Sequence, residues 1–282
     1  MVRSLSWRRI LNVAMIHIIL LAVVVVIIYP LLYVVGSAFS PVSSLQGIGI
    51  NPFSQAPTLL QFRKLFNETN YLTWYRNTLT IAVMVSIATL IITSTAAYIF
   101  SRFKFLMRKQ LMVSFLVFQI FPSFVGMVAI YILLLRIGGL DTKWGLALVY
   151  IAGNIPYNTW LVKSYMDSIP KSFDEAARID GASNFVAYTR IILPIAKPIL
   201  TFLLITSFTG PWMDFIIPRL VLRSDKQFTL ALGLFNLING RAANNYTMFA
   251  AGALLVAVPF VALFLIGQKS LLTALGAAGV KE

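Results

Sequence analysis

Six long apolar stretches, separated by short polar or basic segments, set the pattern of this chain. They run over Ile10–Val35, Thr78–Phe100, Leu111–Leu135, Trp144–Val162, Ile199–Ile217 and Met248–Ile266. At about 1.5 Å per helical residue, each reaches or nearly reaches across a hydrocarbon core about 30 Å thick. Lipid cannot satisfy free backbone groups, so such runs must be helices or strands of a closed barrel. They lack period-2 alternation and exceed the roughly 9–11 residues of a barrel strand, so the pattern predicts helices. The first run, about 25 residues, is also too long for the apolar core of a signal peptide and is read as a span.

Two connections are long. Residues 37–77 contain Pro41, Pro52 and Pro57 and begin as irregular chain; Thr58–Tyr75 then carries apolar residues near helical spacing. The other, residues 163–197, holds a short helix with its own stop signals. Pro170 discourages helical continuation from the residue before it. Ser172 and Glu175 match the S-x-x-E capping box. Ala176 and Ala177 are small helix formers, and Gly181 suits a left-handed C-terminal cap. A second helical stretch over Ser183–Leu193 leads to Pro194, and Pro198 opens the fifth span. The alanines would let another backbone approach closely, and Asp174 and Glu175 would pair with a partner's Arg or Lys. The residues alone fit a gripped helix and a solvated, well-capped loop equally.

Composition strengthens the membrane reading. The chain has 282 residues, 59% apolar and 11% charged, where a soluble domain carries about 25% charge. The whole is read as one transmembrane domain, 1–282, all-α, with a tail over 268–282. There is no cysteine, so no disulfide, thiolate nucleophile or iron–sulfur ligand. The single histidine, His17, excludes a multi-histidine metal site. No G-x-x-x-x-G-K-[ST] occurs, so the chain lacks a phosphate-binding loop of its own. The net charge of +14 does not point to nucleic acid, because the basic residues sit beside apolar spans. With the N-terminus in the cytoplasm, fourteen of the 23 Lys and Arg residues fall inside. The tight run Arg102, Lys104, Arg108 and Lys109 is the strongest of these votes. Six spans then return the C-terminus to the cytoplasm, and residues 163–197 are cytoplasmic.

The stretch Glu175-Ala176-Ala177-Arg178-Ile179-Asp180-Gly181-Ala182, followed by Ile192-Leu193-Pro194 and Pro198, resembles the E-A-A signature of permease subunits of binding-protein-dependent ABC importers. Phe62–Phe66, Trp74–Thr78 and Ala97–Arg102 are similar to the segments around the second span of sugar-type permeases. Leu222–Leu234 and the tail Leu272–Glu282 resemble the smaller permease of maltose/maltodextrin and galacto-oligosaccharide transporters. The tail departs from that pattern by an extra residue near Leu275 and by Glu282 in place of a terminal glycine.

The resemblance implies the six-helix type I ABC importer permease fold in the cytoplasmic (inner) membrane of a prokaryote. It implies a coupling helix at 172–182, with Ser172, Asp174, Glu175, Ala176, Ala177, Asp180, Gly181 and Ala182 meeting an ATPase. It implies tail contacts with two ATPase subunits through Gly276, Gly279 and Lys281. An outer loop with Asn236, Asn239, Asn244, Asn245 and Tyr246 would meet an extracytoplasmic sugar-binding protein. The other partners implied are a second permease, forming a heterodimer, and membrane lipid. No cofactor is expected on this chain, since ATP and Mg would be bound by the partner ATPase. The chain would be a non-catalytic transport subunit for oligosaccharides, with malto-oligosaccharides first and galacto-oligosaccharides or another disaccharide as alternatives.

The few polar residues within spans deserve a role because intramembrane charge is costly. Asp214 follows Gly210-Pro211-Trp212, a sequence expected to break the fifth span. It is a candidate for the pathway or for gating, with a structural or gating role favoured over substrate contact. Asn154, Pro156 and Asn158 are expected to interrupt the fourth. His17 is read as packed or interfacial. An ion-coupled secondary carrier is the reading from another class, with Asp214 its one candidate acid and no visible internal repeat. An intramembrane enzyme would need a nucleophile or metal set that this chain does not assemble.

Overall fold

A computed structural model describes residues 7–51, 53, 56–120, 123–239 and 245–279. Among the described residues the chain is all-helical, without a strand. The helices in chain order are α1 Trp7–Ala38, α2 Leu45–Ile48, α3 Leu60–Glu68, α4 Tyr71–Arg102, α5 Arg108–Ile120, α6 Met127–Arg136 and α7 Lys143–Asp167. They continue as α8 Ser172–Ile179, α9 Asn184–Ala187, α10 Leu193–Ile195, α11 Lys197–Met213, α12 Ile216–Val221, α13 Leu230–Asn239 and α14 Tyr246–Gly279. Three are long and apolar enough to cross a bilayer: Leu11–Ala38, Tyr71–Arg102 and Tyr246–Gln268. The pair Asn184–Ile195 and Lys197–Met213, bent by 80°, adds a fourth candidate.

The chain forms two compact units. The first comprises residues 1–69 and 234–255. Apolar side chains along α1, such as Leu20, Val25 and Leu31, are exposed, an arrangement suited to lipid rather than water. Gln61 of α3 is fully buried and its amide donates to the carbonyls of Ser40 (3.1 Å) and Val42 (3.0 Å), which fixes the irregular chain after α1. Ala38, Ala250 and Ala251 pack with Phe39 and Phe62 into a small core.

The second unit, residues 70–233 and 256–282, carries the long connection over 163–197 and is built on α4. This helix packs on α7 and α11. Its buried face includes Ala82, Ser86, Thr89, Thr93 and Ala97, small residues three to four apart. Small side chains let helix backbones approach closely where lipid offers no hydrophobic drive to associate. The helix begins at Tyr71, seven residues before the expected span, because Asn70, Trp74, Asn77 and Thr78 grip the chain at 225–230. Trp74 Nε1 donates to Asp225 O (3.1 Å), and Asn77 Nδ2 to Lys226 O (2.8 Å) and Phe228 O (3.0 Å). Leu230 N donates to Thr78 Oγ1 (2.7 Å), and Asn70 bonds the Asp225 carboxylate.

Two sequence expectations change. The stretch expected as one helix over 111–135 is α5, a 3-10 turn at Ser123–Gly126, and α6. The fourth stretch is not interrupted: α7 runs through Pro156, and Asn158 turns its amide back onto Asn154 O (2.8 Å). Pro156 therefore removes one donor without ending the helix, as neighbouring polar groups allow in a membrane. The fifth stretch does break near the expected place: α11 includes Pro211, stops after Met213, and α12 begins at Ile216.

The turn between α6 and α7 is tight. Gly138 has φ +70°, and a Cβ on Gly145 would lie 2.0 Å from the Gly139 carbonyl oxygen. Thr142 caps α7 by accepting from Gly145 N (3.1 Å). Asp141 then ties this turn to the chain after α12. Its Oδ1 accepts from the backbone N–H groups of Arg223 (2.9 Å) and Ser224 (3.0 Å), and Ser224 Oγ donates to Oδ2. Burial pushes the Asp141 carboxyl up, but the Ser224 hydroxyl, the two N–H groups and the Arg223 charge outweigh it and hold the carboxyl below its usual range. A depressed carboxyl stabilises the fold above its unfolded value and loses that contribution as pH falls through the folded one. Native protein should therefore melt above Asp141→Asn at neutral pH, and the gap should begin to narrow below about pH 4. Thermal unfolding in detergent at pH 7 and pH 3 measures it; a gap of constant size would refute the assignment.

Candidate functional site

The connection after α7 folds back against the end of α4. Val162, Met166, Ile169, Tyr188, Ile192 and Ala196 pack with Ala97 and Tyr98 into one apolar core. Around it, polar side chains of α4 reach the loop. Ser94 Oγ lies 2.8 Å from the Tyr188 hydroxyl, and the Tyr98 and Tyr188 rings are 4.9 Å apart. Ser101 Oγ donates to Asp167 Oδ1 (2.7 Å), and Arg102 Nη2 to Ile169 O (3.0 Å).

The centre of this arrangement is an ion pair. Arg102 Nε lies 2.9 Å from Asp174 Oδ2, with the two side chains only 3% and 6% exposed. Neither atom has another partner among the described residues. The Tyr98 hydroxyl donates to Asp174 Oδ1 (3.2 Å). A buried pair of this kind adds little net stability, but removing one member costs about 3–5 kcal/mol because the other charge stays buried alone.

Helix α8 is placed by that pair. Its start differs from the expected capping box: Lys171 holds the cap position without a side-chain bond, and Ser172 is the first helical residue. Asp174 and Glu175 lie in the first turn, where the helix dipole favours negative charge. Its end matches the expectation. Gly181 has φ +79°, Gly181 N donates to Arg178 O (3.0 Å), and Ala182 N to Ala177 O (2.9 Å). These two bonds form a Schellman cap, and glycine is the residue that adopts its left-handed position without strain. Ser183 then caps α9 by accepting from Val186 N (3.3 Å). The second stretch is not one regular helix: α9 passes into a π-helical turn, Tyr188–Ile192, and α10, before the 80° bend.

The eight sequence candidates on this loop separate into two faces. Ser172, Glu175, Ala176, Asp180 and Gly181 are exposed, and Ala182 is half-buried. Asp174 and Ala177 point into the chain itself. The expectation that Asp174 would pair with a partner is therefore corrected: Arg102 already neutralises its carboxylate. Ala177 likewise packs inward while Ala176 stays available. The exposed face carries apolar side chains the sequence reading left out: Ile179 is 87% exposed and Phe185 72%. Arg102 and Tyr98 were also missed as site residues. Their signal was an Arg ending an apolar span, one turn after a Tyr, with an Asp among alanines elsewhere.

Asp214 ends α11 in an extended conformation. Its Oδ1 accepts from Ile216 N (2.8 Å) and Ile217 N (3.4 Å), and Oδ2 from the Tyr150 hydroxyl (2.9 Å). It thus satisfies the start of α12 and ties it to α7. Asn236 and Asn239 lie on α13, Asn245 accepts at the start of α14, and Tyr246 is the first residue of α14. Asn244 falls outside the described residues. Gly276 and Gly279 belong to α14, and Lys281 is outside the described residues.

Comparison with known proteins agrees with this architecture. The family described as binding-protein-dependent transport system inner membrane component matches residues 90–271. The galactooligosaccharides transport system permease protein GanQ of Bacillus subtilis (strain 168) is 38% identical, with 100% of each chain covered. The maltodextrin transport system permease protein MdxG of the same organism is 40% identical, with 98% of this chain and 99% of the relative covered. A chain in the crystal structure of a bacterial ABC transporter involved in the import of the acidic polysaccharide alginate has the same fold, at TM-score 0.79 and 20% identity over 94% of this chain and 98% of that one. The chain belongs to the family of inner membrane components of binding-protein-dependent transport systems, the permease class that the Glu175–Ala182 signature indicated.

The Arg102–Asp174 pair makes a direct prediction. Because the chain has no cysteine, Ala177→Cys is a single buried reporter of whether α8 is seated. Thiol labelling of that reporter should rise by at least about a hundredfold when Arg102→Ala is added, with a smaller rise for Arg102→Lys. Equal labelling rates would show that the pair does not hold α8.

Proposed function

We propose that this chain is the transmembrane permease subunit of an ATP-driven importer for malto-oligosaccharides. It crosses the cytoplasmic membrane of a prokaryote six times, with both termini in the cytoplasm and residues 1–282 forming one permease domain. Sugar passes from an extracytoplasmic binding protein into a cavity shared with a second permease. Two ATPase subunits bind ATP and Mg and carry the chemistry. The exposed face of α8, with Glu175, Ala176, Asp180 and Gly181, docks on one of them. The residues Gly276, Gly279 and Lys281 extend that contact from the tail, and Asn236, Asn239, Asn244, Asn245 and Tyr246 meet the binding protein.

The observation that carries the coupling role is the internal locking of α8. A partner that moves α8 moves Asp174, and Arg102 passes the displacement to the end of α4. The apolar core around Tyr188 and Ile192 keeps the following segment with it, and the bend before α11 delivers the same motion to a second helix. Closure of the ATPases then favours the outward-facing state, and hydrolysis and release restore the inward-facing one. Asp214 supports the broken end of α11 and takes a structural or gating role rather than a sugar contact.

The sugar reading rests on relatives named for maltodextrin and for galactooligosaccharides at similar identity over nearly all of the chain. Galacto-oligosaccharide import is therefore the second reading. Tagged purification from native membranes, with mass spectrometry of what accompanies the chain, tests both levels. A second permease, an ATPase and a sugar-binding protein should co-purify. The isolated binding protein should then take maltotriose in preference to a galacto-trisaccharide; the reverse order would move the substrate to the second reading. A chain that emerges alone, beside a control importer that stays intact, would favour the ion-coupled carrier.

The docking face has its own test. Gly181→Asp forces a side chain into the left-handed cap position and adds charge, and Glu175→Lys reverses charge on the exposed face. Both variants should insert normally and abolish ATP-dependent uptake. Normal uptake by both would refute the docking role.

A further inference from the structure

A groove of about 590 Å³ opens beside the turn between α4 and α5, walled on its far side by α7. Lys104, Arg108, Lys109 and Lys163 line it together with Leu106 and Trp160. Lys163 is already paired with Asp167. Among the described residues, no carboxylate lies within ion-pair distance of Lys104, Arg108 or Lys109. Three cations thus face one groove without neutralisation.

The same groove is unusually apolar at its lip. Leu106 is 90% exposed, Met107 56% and Trp160 40%. Met107 sits at φ +63°, a left-handed conformation that a non-glycine residue adopts only when the surrounding structure imposes it. Phe100 holds the turn from below, with the Phe105 ring 5.4 Å away and the Phe115 ring 5.9 Å away. The turn is therefore a built feature that presents Leu106 outward between Lys104 and Arg108. Membrane orientation by itself needs the charges, not a walled groove with an exposed apolar lip.

The geometry points to a binding site for an anionic phospholipid in the leaflet where α4 leaves the bilayer. Its phosphate lies against Lys104, Arg108 and Lys109, its acyl chains run along Leu106, and Trp160 sits at headgroup depth, where tryptophan is enriched. Basic pockets between membrane helices recognise lipid headgroups in this way. A free phosphate ion would leave Leu106 and Met107 against water, and so matches only half of the lining. The inference rests on the membrane reading of α4, but not on the identity of the sugar or on the docking of α8.

The test uses the whole importer in nanodiscs of equal parts phosphatidylglycerol and phosphatidylcholine, with bromine carried on the acyl chains of one lipid or the other. The Trp160 signal is the difference between native protein and Trp160→Phe. Brominated phosphatidylglycerol should quench it more than brominated phosphatidylcholine. Each cation neutralised among Lys104→Gln, Arg108→Gln and Lys109→Gln should lower that preference by about fivefold at low ionic strength. The single variants serve if the triple variant fails to insert, and the charge-retaining set Lys104→Arg, Arg108→Lys and Lys109→Arg should keep the preference. Equal quenching by both lipids, or a preference untouched by neutralisation, would overturn the site. A preference erased by added inorganic phosphate would assign it to a free anion instead. Loss of the ATPase subunits on neutralisation, with lipid preference unchanged, would assign the groove to a protein contact.

Discussion

The Arg102–Asp174 pair is the constraint on which the loop region turns. Two opposite charges, both almost wholly out of solvent, fix the last residue of a long helix against the first turn of a short one. A hydrophobic contact at the same place would hold the helices together but let them slide. The pair, with Tyr98 on the second carboxylate oxygen and Ile169 O on the guanidinium, sets both distance and orientation. Its cost in desolvation is the reason it stabilises little, and the same cost makes any separation of the partners steeply unfavourable.

Helix α4 is fixed at its other end by different chemistry. There Asn70, Trp74, Asn77 and Thr78 hold backbone and side-chain groups of 225–230 by neutral or singly charged hydrogen bonds. Clasps included, the helix has 32 residues, roughly 48 Å at about 1.5 Å each, and packs on α7 and α11 through small side chains. A Cβ on Gly233 would come within 2.3 Å of the Trp74 ring, so the N-terminal clasp admits no extra bulk. The helix runs without a break or an internal proline from Asn77 to Arg102.

What the sequence made legible follows from the range of each signal. The apolar runs and the Gly181 cap are local, decided by a few adjacent residues, and the helices over Thr78–Phe100 and Trp144–Val162 and the left-handed glycine follow from them. The early start of α4 is not local, because its first turn is stabilised by residues about 150 positions away in sequence, as Asn77 with Lys226 and Phe228 illustrates. The capping box failed for a related reason. Ser172 and Glu175 have the right spacing, but Asp174 is drawn inward by Arg102, and the helix starts where that pair requires rather than where Ser172 would cap it. Proline was overread in Pro156, since a helix packed among others keeps its course after losing one hydrogen bond. The family signature was readable; which of its residues face outward was not.

That facing carries a final physical argument. In a solvated loop, charge belongs outside and apolar side chains belong under it. Here an ion pair is sealed beneath α8, while Ile179 and Phe185 stand almost fully in the open and Phe173 is 46% exposed. The exposed charges Lys171, Glu175, Arg178 and Asp180 lie among these apolar groups rather than replacing them. Water is a poor solvent for the apolar part of that surface, and a folded groove with charges complementary to both signs would be a better one. The sequence alone left a gripped helix and a solvated loop equal because both have the same residue types; what the structure adds is which of those side chains face outward.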